Sequence, residues 1–241
     1  MQESITPTKV QHHCDECGLD TDQVFCFEHG ENKRYLDSYM VTATYLKGDT
    51  LYMQGQHADG VYILRKGRVK LFTTSRDGKI IILQIAEPGE YLGLSASMLQ
   101  KLHIASAEAI EDCEVCFISN RAFVNFLRDD AESCLRAINQ LSQNFEKANK
   151  RICSLGLSST VGDKLGVLLL SWCDEQTKES KNIRLNVAYT HEEIAQMIGA
   201  SRETVTRMLK SFTDRKLLKF KGSRYFIFDK AKLEQAIHSS A

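Results

Sequence analysis

Short apolar runs separated by glycine fill the chain from about residue 40 to residue 119. The runs are rich in β-branched and aromatic residues and are about four to eight residues long, which is typical of β-strands. Six glycines bound them: Gly48, Gly55, Gly60, Gly67, Gly78 and Gly89. The pattern predicts antiparallel strands joined by tight turns, and a small β-barrel or roll is the simplest way to close them.

The next segment repeats its apolar residues at alternating spacings of four and three. The repeat consists of Cys134, Ile138, Leu141, Phe145, Ala148, Ile152 and Leu155. This spacing is the a/d seam of a coiled coil, so it predicts a dimerisation helix whose interface runs from Ile138 to Leu155. The alternative is a single amphipathic helix packed on its own β-domain. Polar neighbours such as Asn139 and Gln143 keep the apolar stripe narrow, which favours the dimer.

Residues 190–228 carry the signals of two short helices followed by a hairpin. Thr190 and Glu193 form a T-x-x-E capping box that begins the first helix, and Gly199 ends it. Ser201 has the side chain to cap a second helix. Three apolar residues of that helix face inward: Val205, Leu209 and Phe212. Two short helices around a glycine turn predict a helix-turn-helix.

The flanking segments complete this module. Leu218 to Phe228, with Gly222 and Ser223 at its middle, predicts a hairpin that forms a wing. Upstream, an apolar helix is expected around residues 161–172, and the polar stretch DEQTKESKN after it is expected to be a loop.

The sequence therefore predicts an α+β protein with four parts. Residues 1–38 form a cysteine-containing arm, and residues 39–130 form the β-roll. Residues 131–157 form the dimerisation helix, and residues 158–241 form the winged helix-turn-helix.

Charge is unevenly distributed, although the chain is neutral overall with 31 basic and 31 acidic residues. Residues 1–130 carry 13 basic and 19 acidic side chains, whereas residues 190–232 carry 10 basic and 5 acidic ones. A basic end on an otherwise acidic chain indicates a module that binds phosphate groups.

Several protein classes do not match the sequence. The chain starts without an apolar leader, and no window approaches the roughly 18 apolar residues of a membrane span, so we expect a cytoplasmic protein with no membrane partner. No Ser-His-Asp ordering, phosphate-cradling loop or zinc-protease motif is evident, so we expect no enzymatic activity. The eight cysteines do not indicate a disulfide framework, because the cytosol keeps thiols reduced.

Outward-facing residues of the second helix have the chemistry that recognises DNA bases. Arg202 and Arg207 can each bond guanine O6 and N7, and Glu203 can accept a hydrogen bond from cytosine N4. The other predicted DNA-binding residues cap the helix or contact phosphates: Ser201, Thr206, Lys210, Arg215 and Lys221. An ordinary solvated helix face is the alternative. The capping box, turn, hairpin and dimer helix together disfavour it.

These elements resemble the Crp/Fnr family of bacterial regulators over residues 39–229. The similarity rests on the segment IAQMIGASRETVTRMLK, the PGEYLG turn and the long helix between them. It implies a cyclic-nucleotide-binding-type β-roll, a homodimer, double-stranded palindromic DNA as ligand and RNA polymerase as the usual partner. S-R-E-T-V-x-R resembles the catabolite-activator branch, which implies TGTGA-type half-sites contacted by Arg202, Glu203 and Arg207.

The family's cyclic-nucleotide sites resemble G-E-x followed about ten residues later by R-S/T-A, where the Arg neutralises the phosphate and the Glu holds the ribose hydroxyl. Here Leu94 stands at the Glu position, and Ile104 or Ala105 stands at the Arg position. A buried phosphate without a charge partner is strongly disfavoured, so we do not expect cyclic AMP to bind. Lys101 or His103 could substitute for the Arg, although a surface loop is the simpler interpretation.

The cysteines suggest another signal. Cys14-x2-Cys17-x8-Cys26 together with Cys116 resembles the iron-sulfur branch of the family, which implies a [4Fe-4S] cluster and redox sensing. The spacing between the second and third cysteines is wider than in that branch, and Cys113 is a second candidate for the fourth ligand.

Other interpretations of the cysteines stay open. Four thiolates also suit zinc, and His12, His13 or His29 could replace one of them. Absence of any metal is a third possibility, because free cysteines often pack as small apolar residues. The three cysteines in predicted helices are expected to be packing residues: Cys134, Cys153 and Cys173. The protein would then be a constitutive regulator or one that responds to an unknown small molecule.

Overall fold

The computed structural model describes residues 8–10, 40–177, 180–185, 188–222 and 224–238. The chain divides into two compact units, one up to Phe145 and one from Glu146 onwards. The first unit contains the glycine-bounded strands, and the second contains the helix-turn-helix and its wing. Every strand pair of the described sheets is antiparallel and the helices pack beside these sheets, which confirms the predicted α+β class.

Two antiparallel sheets form the β-roll of the first unit. The strands are β1 (Thr8–Val10), β2 (Met40–Tyr45), β3 (Thr50–Tyr52), β4 (Gly60–Lys66), β5 (Val69–Thr74), β6 (Ile80–Ala86), β7 (Tyr91–Leu92), β8 (Ser106–Ala109) and β9 (Cys113–Ser119). One sheet has the order β1-β2-β9-β4-β7 and the other the order β3-β8-β5-β6. The predicted strands between residues 40 and 119 are present, and the roll is closed by packing one sheet on the other.

Both faces of the larger sheet are buried, as β9 illustrates. Cys113 and Val115 point into the apolar cluster shared with the smaller sheet. Cys116 and Ile118 point the opposite way, into a cluster that includes Phe123. Alternate residues of a strand face opposite sides, so a strand with both sides buried needs the nearly continuous apolar run that the sequence has here.

Three helices accompany the roll. They are α1 (Leu94–Leu99), α2 (Asn120–Asp129) and α3 (Ala131–Leu157). Ala122, Phe123 and Phe126 of α2, together with Ala137 of α3, cover the second face of the larger sheet. Helix α3 occupies the segment predicted to dimerise and continues across the division between the two units.

The second unit combines four helices with a small sheet. After the C-terminal part of α3 come α4 (Val161–Gln176), β10 (Lys181–Leu185), α5 (His191–Ile198), α6 (Arg202–Asp214), β11 (Leu218–Lys221), β12 (Arg224–Asp229) and α7 (Lys230–His238). The strand order is β10-β12-β11. Trp172 of α4 packs against Tyr189 and Tyr225, with ring centroids 5.1 and 6.4 Å away, which fixes the sheet on the helices.

Some of these elements differ from the sequence-based prediction. Helices α1, α2 and α7 were not predicted, and β10 begins inside the stretch predicted to be a loop. None of the described helices combines the length and apolar composition needed to cross a bilayer.

Candidate nucleic-acid interface and sensor site

Helix α5 begins and ends at the predicted residues. Glu193 N donates to Thr190 Oγ1 at 3.2 Å, and Thr190 N donates to a Glu193 carboxylate oxygen at 2.7 Å, so the capping box is closed in both directions. Gly199 ends the helix with φ of 67°, a left-handed conformation that glycine adopts without a Cβ penalty. The turn into α6 is therefore specified by local sequence.

Helix α6 presents one apolar and one charged face. Its capping residue is Ser201, whose hydroxyl accepts a hydrogen bond from Thr204 N at 3.3 Å. Three side chains are buried on the inner face: Val205, Leu209 and Phe212. Each predicted DNA-binding residue of this helix is exposed on the opposite face: Arg202, Glu203, Thr206, Arg207 and Lys210. The burial pattern leaves these side chains available to a ligand and fixes the backbone that carries them.

Local hydrogen bonds set the protonation of Glu203. Its own backbone N–H and the Ser201 hydroxyl lower the pKa of the Glu203 carboxyl, with a smaller contribution from Arg202. The carboxylate is therefore ionised at neutral pH and able to accept a hydrogen bond. The Glu203 carboxylate must break these local hydrogen bonds before it can accept one from a DNA base.

His191 belongs to the same surface and was not identified from sequence. Its Nδ1 lies 2.9 Å from Thr206 Oγ1 of α6, and its ring contacts Phe220 of β11 edge-on with centroids 5.4 Å apart. A histidine at the start of a helix carries no sequence signal for such contacts, because they depend on how α5, α6 and β11 pack.

The wing is a two-stranded hairpin as predicted. Lys221 lies opposite Arg224 in the register, and Lys221 is exposed. Tyr225 is buried and donates a hydrogen bond from its hydroxyl to Tyr189 O at 2.9 Å. This bond anchors the inner face of the hairpin, whereas Lys221 and Arg224 are exposed.

Helix α3 exposes an apolar stripe along the predicted seam. Ile138, Leu141 and Ile152 are exposed, and the exposed fraction of Phe145 is 70%. Ala148 is exposed, whereas Leu155 is half-buried. Leu135, which was not among the predicted interface residues, is also exposed.

Two polar side chains of α3, Gln140 and Arg151, form hydrogen bonds within the same chain. The Gln140 carboxamide accepts a hydrogen bond from Tyr91 N at 2.9 Å and donates one to Tyr91 O at 3.1 Å. In the second unit, Arg151 donates to Met197 O of α5 at 2.7 Å.

The turn after β7 and helix α1 begin the stretch that the resemblance aligns with the family's nucleotide site. Gly93 has φ of 75°, and a Cβ there would lie 2.9 Å from the His103 ring, so the close approach requires glycine. Leu94 is buried. Ala105 is 8% exposed and Ile104 is 79% exposed, so Ala105 is the inward-facing residue at the arginine position.

The surface-loop interpretation of His103 is wrong. His103 is buried and stacks on Tyr52 with ring centroids 3.8 Å apart. Burial is the main cause that lowers the pKa of His103, so the ring is neutral at physiological pH. Sequence could not show this, because the contact joins residues about fifty positions apart. Lys101 is exposed, as expected for a loop.

The two cysteines of β9 differ in environment. Cys113 donates from its thiol to Glu111 O at 3.1 Å, and burial raises its pKa to about 11. Cys116 is 1% exposed, and its sulfur lies 3.3 Å from Thr42 Oγ1. Cys14, Cys17 and Cys26 lie outside the described residues, as do His12, His13 and His29. No group of three or more potential metal ligands occurs within the described ranges.

The other cysteines vary in exposure. Cys173 is buried and Cys134 is half-buried, which fits the expected packing role. Cys153 is exposed on α3, so the expected packing role does not apply to this residue.

Comparisons with known proteins agree with this architecture. Residues 42–130 match the model of the cyclic nucleotide-binding domain, and residues 163–236 match that of the Crp-like helix-turn-helix domain. A CRP-like cAMP-activated global transcriptional regulator from Mycobacterium tuberculosis is 27% identical over 187 residues, covering 78% of this chain and 84% of that protein. A cAMP-activated global transcriptional regulator CRP from Pasteurella multocida is 26% identical over 186 residues, covering 76% and 88%.

Solved structures show the same fold. FixK2 from Bradyrhizobium japonicum superposes with a TM-score of 0.69 at 20% identity, covering 81% of this chain and 96% of that chain. A CooA mutant from Carboxydothermus hydrogenoformans superposes with a TM-score of 0.71 at 22% identity, covering 83% and 88%.

Proposed function

Because the chain belongs to the Crp/Fnr family of DNA-binding transcription regulators, we propose that it acts as a homodimer that binds a two-fold palindromic operator with α6 in the major groove. The relatives it matches are transcription regulators and not enzymes. The regulator acts in the cytoplasm, where operator DNA lies, and RNA polymerase is the partner that the family resemblance implies.

The two-faced α6 helix is the observation that carries this proposal. Its buried face fixes the backbone against α5. Its exposed face offers two arginines and one carboxylate in the first two turns, the N-terminal part with which recognition helices reach base edges. Arg202 and Arg207 are proposed to bond guanines and Glu203 to accept from a cytosine. This chemistry suits TGTGA-type half-sites. Lys210, Arg215 and Lys221 are proposed to contact phosphates. Thr206 is proposed to do the same, after its hydroxyl proton leaves Arg202 O.

The exposed stripe of α3 supports the dimer. Phe145 and Ile152 are large apolar side chains on the surface of one protomer, and exposed apolar stripes of this kind mark association sites. A parallel pair of α3 helices buries the seam from Ile138 to Leu155 and places two recognition helices about one DNA turn apart, roughly 34–36 Å.

Cyclic AMP is not the effector that we propose, although the curated relatives are named for activation by it. The inward-facing residue at the arginine position is Ala105, and Leu94 is buried where the family places a carboxylate. The neutral His103 ring, stacked on Tyr52, provides no cation in their place. A cyclic phosphate would lose its water here without gaining a charge partner.

Fluorescence anisotropy with a TGTGA palindrome and a scrambled duplex tests the DNA-binding proposal. Arg202→Ala should cost about 1–3 kcal/mol and relax the preference at one guanine. Lys210→Ala should weaken binding to both duplexes alike and flatten the salt dependence. Lys232→Ala, which removes an exposed cation of α7 in the same unit, should bind like the wild type. Equal wild-type affinity for both duplexes would overturn the proposal.

Redox sensing through a [4Fe-4S] cluster is a second candidate, and strand register favours it. Val10 of β1 lies opposite Thr42 of β2, and Thr42 lies opposite Cys116 of β9. Cys14 follows Val10 by four residues, a reach of about 14 Å at most. Two strand spacings cover only about 10 Å. Chain length therefore allows Cys14 to reach a ligand set that includes Cys116.

The environments of the two β9 cysteines distinguish the fourth ligand. Cys113 points to the opposite face of the sheet, into the apolar cluster shared with the smaller sheet, whereas Cys116 lies in register with Thr42 and Val10. Cys116 lies in the apolar cluster that contains Ala137 of α3, so a change at Cys116 can be transmitted to α3 through this cluster. Because Cys116 is almost fully buried, its side chain must leave this apolar cluster to bind a metal. A [4Fe-4S] cluster held by Cys14, Cys17, Cys26 and Cys116 would supply oxygen-sensitive iron chemistry.

Anaerobic isolation followed by iron, sulfide and zinc analysis tests this candidate. Cys116→Ser should abolish bound iron, and Cys113→Ser should retain it. Colourless, iron-free protein after reconstitution with iron and sulfide would exclude the cluster. Stoichiometric zinc in that sample would favour the structural-zinc alternative, and absence of both metals would leave a constitutive regulator or one with another effector.

A further inference from the structure

His191 lies where three elements of the DNA-binding unit meet. It is the first residue of α5, its Nδ1 is 2.9 Å from Thr206 Oγ1 of α6, and its ring packs edge-on against Phe220 of β11. The side chain is half-buried. Two contacts therefore hold the ring beside the exposed face of α6, next to Arg202 and Thr206.

The hydrogen bonds of Thr206 fix the tautomer of His191. The Thr206 hydroxyl donates its single proton to Arg202 O at 2.9 Å. With that proton on Arg202 O, the Thr206 oxygen accepts from His191, and Nδ1 carries the proton in this arrangement. The neutral ring therefore has its lone pair on Nε2, and Nε2 is the nitrogen that titrates.

Nε2 is available to a ligand. No hydrogen bond or ion pair to Nε2 occurs within the described part of the chain. The neutral ring presents an acceptor at this position, and an acceptor repels a DNA phosphate. The protonated ring presents a cationic N–H donor, which is the group that a phosphate oxygen binds.

The groups around the ring determine which form is present. From α6 the facing groups are the Arg202 cation and the Thr206 hydroxyl, and from β11 the facing group is the uncharged Phe220 ring. On α5 itself, the Glu192 carboxylate bonds Gln196 and the Glu193 carboxylate bonds Thr190. Burial and the positive charge of Arg202 lower the pKa of His191. Free protein therefore holds a neutral ring at physiological pH.

We propose that His191 is a DNA-contact residue whose Nε2 takes up a proton from solution when it binds an operator backbone phosphate. The inference rests on the proposed operator binding. It adds a residue to the interface and makes operator affinity depend on pH.

The direction of that dependence follows from linkage. A phosphate beside Nε2 raises the pKa of His191 in the complex above its value in the free protein, so association consumes protons and affinity rises as pH falls. A rise of one pKa unit gives up to about tenfold per protomer, or about 100-fold for the dimer. Solvent screening reduces this value, so we expect at least about threefold between pH 8 and pH 6.

Anisotropy titrations at about pH 6 and pH 8, with calorimetry in two buffers of different ionisation enthalpy, test the proposal on the full chain. The probe is the TGTGA palindrome. Wild-type protein should bind more tightly at the lower pH with net proton uptake. His191→Gln should lose both effects, and His191→Lys should bind with high affinity at both pH values. His57→Gln, which removes an exposed histidine of the first unit, should retain the wild-type response.

Each other outcome is decisive. An unchanged pH response in His191→Gln overturns the proposal. So does weak binding of a folded His191→Lys protein, because a permanent cation should replace the protonated ring. Circular dichroism confirms folding of each variant. Absence of palindrome binding at either pH would refute operator binding itself, whereas pH-independent binding would refute only the role of His191.

Discussion

Substitution of Gln140 tests directly how α3 is attached to the β-roll of the first unit. Strand β7 lies at the edge of its sheet, with β4 as its partner in the order β1-β2-β9-β4-β7. The Gln140 carboxamide bonds both the N–H and the C=O of Tyr91, as a neighbouring strand would. Tyr91 is two residues before Gly93, where the turn into α1 begins, so this contact links α3 to that turn.

Gln140→Ala removes two hydrogen bonds, each with a net contribution of about 0.5–1.5 kcal/mol. We therefore expect the first unit to lose about 1–3 kcal/mol of unfolding free energy. With a slope of about 2 kcal/mol/M, the urea midpoint should fall by about 1 M. Local opening of β7 should also accelerate amide exchange at Tyr91 by about tenfold.

Urea unfolding followed by far-UV circular dichroism, at one fixed protomer concentration, measures the change. The single tryptophan, Trp172, lies in the second unit, so its fluorescence would report on the wrong part of the chain. Gln143→Ala is the matched control, because Gln143 is exposed on the same helix and gains the same helix propensity. Equal stability of the two variants, with unchanged exchange at Tyr91, would refute this account of the α3 attachment.

Three further results are expected. Cyclic AMP should give no heat in calorimetric titration and no change in DNA affinity, and micromolar stoichiometric binding would contradict the assignment of Ala105 to the arginine position. Phe145→Glu should convert the dimer to monomers in sedimentation because it places a charge in the seam, and a stable dimer of this variant would place the interface elsewhere. At about pH 8, a thiol reagent should modify the exposed Cys153 of native protein much faster than Cys113, whose pKa is raised to about 11 by burial, and equal rates would show that Cys113 is accessible.

Local signals made the helix-turn-helix predictable. The Thr190–Glu193 capping box, Gly199 and Ser201 each specify backbone geometry within a few residues, and the structure has α5 and α6 where these signals place them. The glycine-bounded strands were predictable for the same reason, since turns and alternating burial depend on residues that are close together in the sequence.

Tertiary contacts explain what the sequence did not reveal. His103 and His191 owe their environments to Tyr52 and to Thr206 and Phe220, which lie far from them along the chain. The roles of Gln140 and Arg151 have the same origin, because polar residues beside a coiled-coil seam look solvated until their partners are known. Helix α1 is short, and neither its left-handed start at Gly93 nor its end at Gln100 makes a side-chain cap.

Selection of bound duplexes from a randomised DNA library shows whether the protein reads a two-fold operator with α6. We expect recovery of a two-fold palindrome with TGTGA-like half-sites about one helical turn apart, and loss of the guanine preference at one position in the Arg202→Ala variant. Recovery of sequences without two-fold symmetry would contradict operator recognition by a dimer.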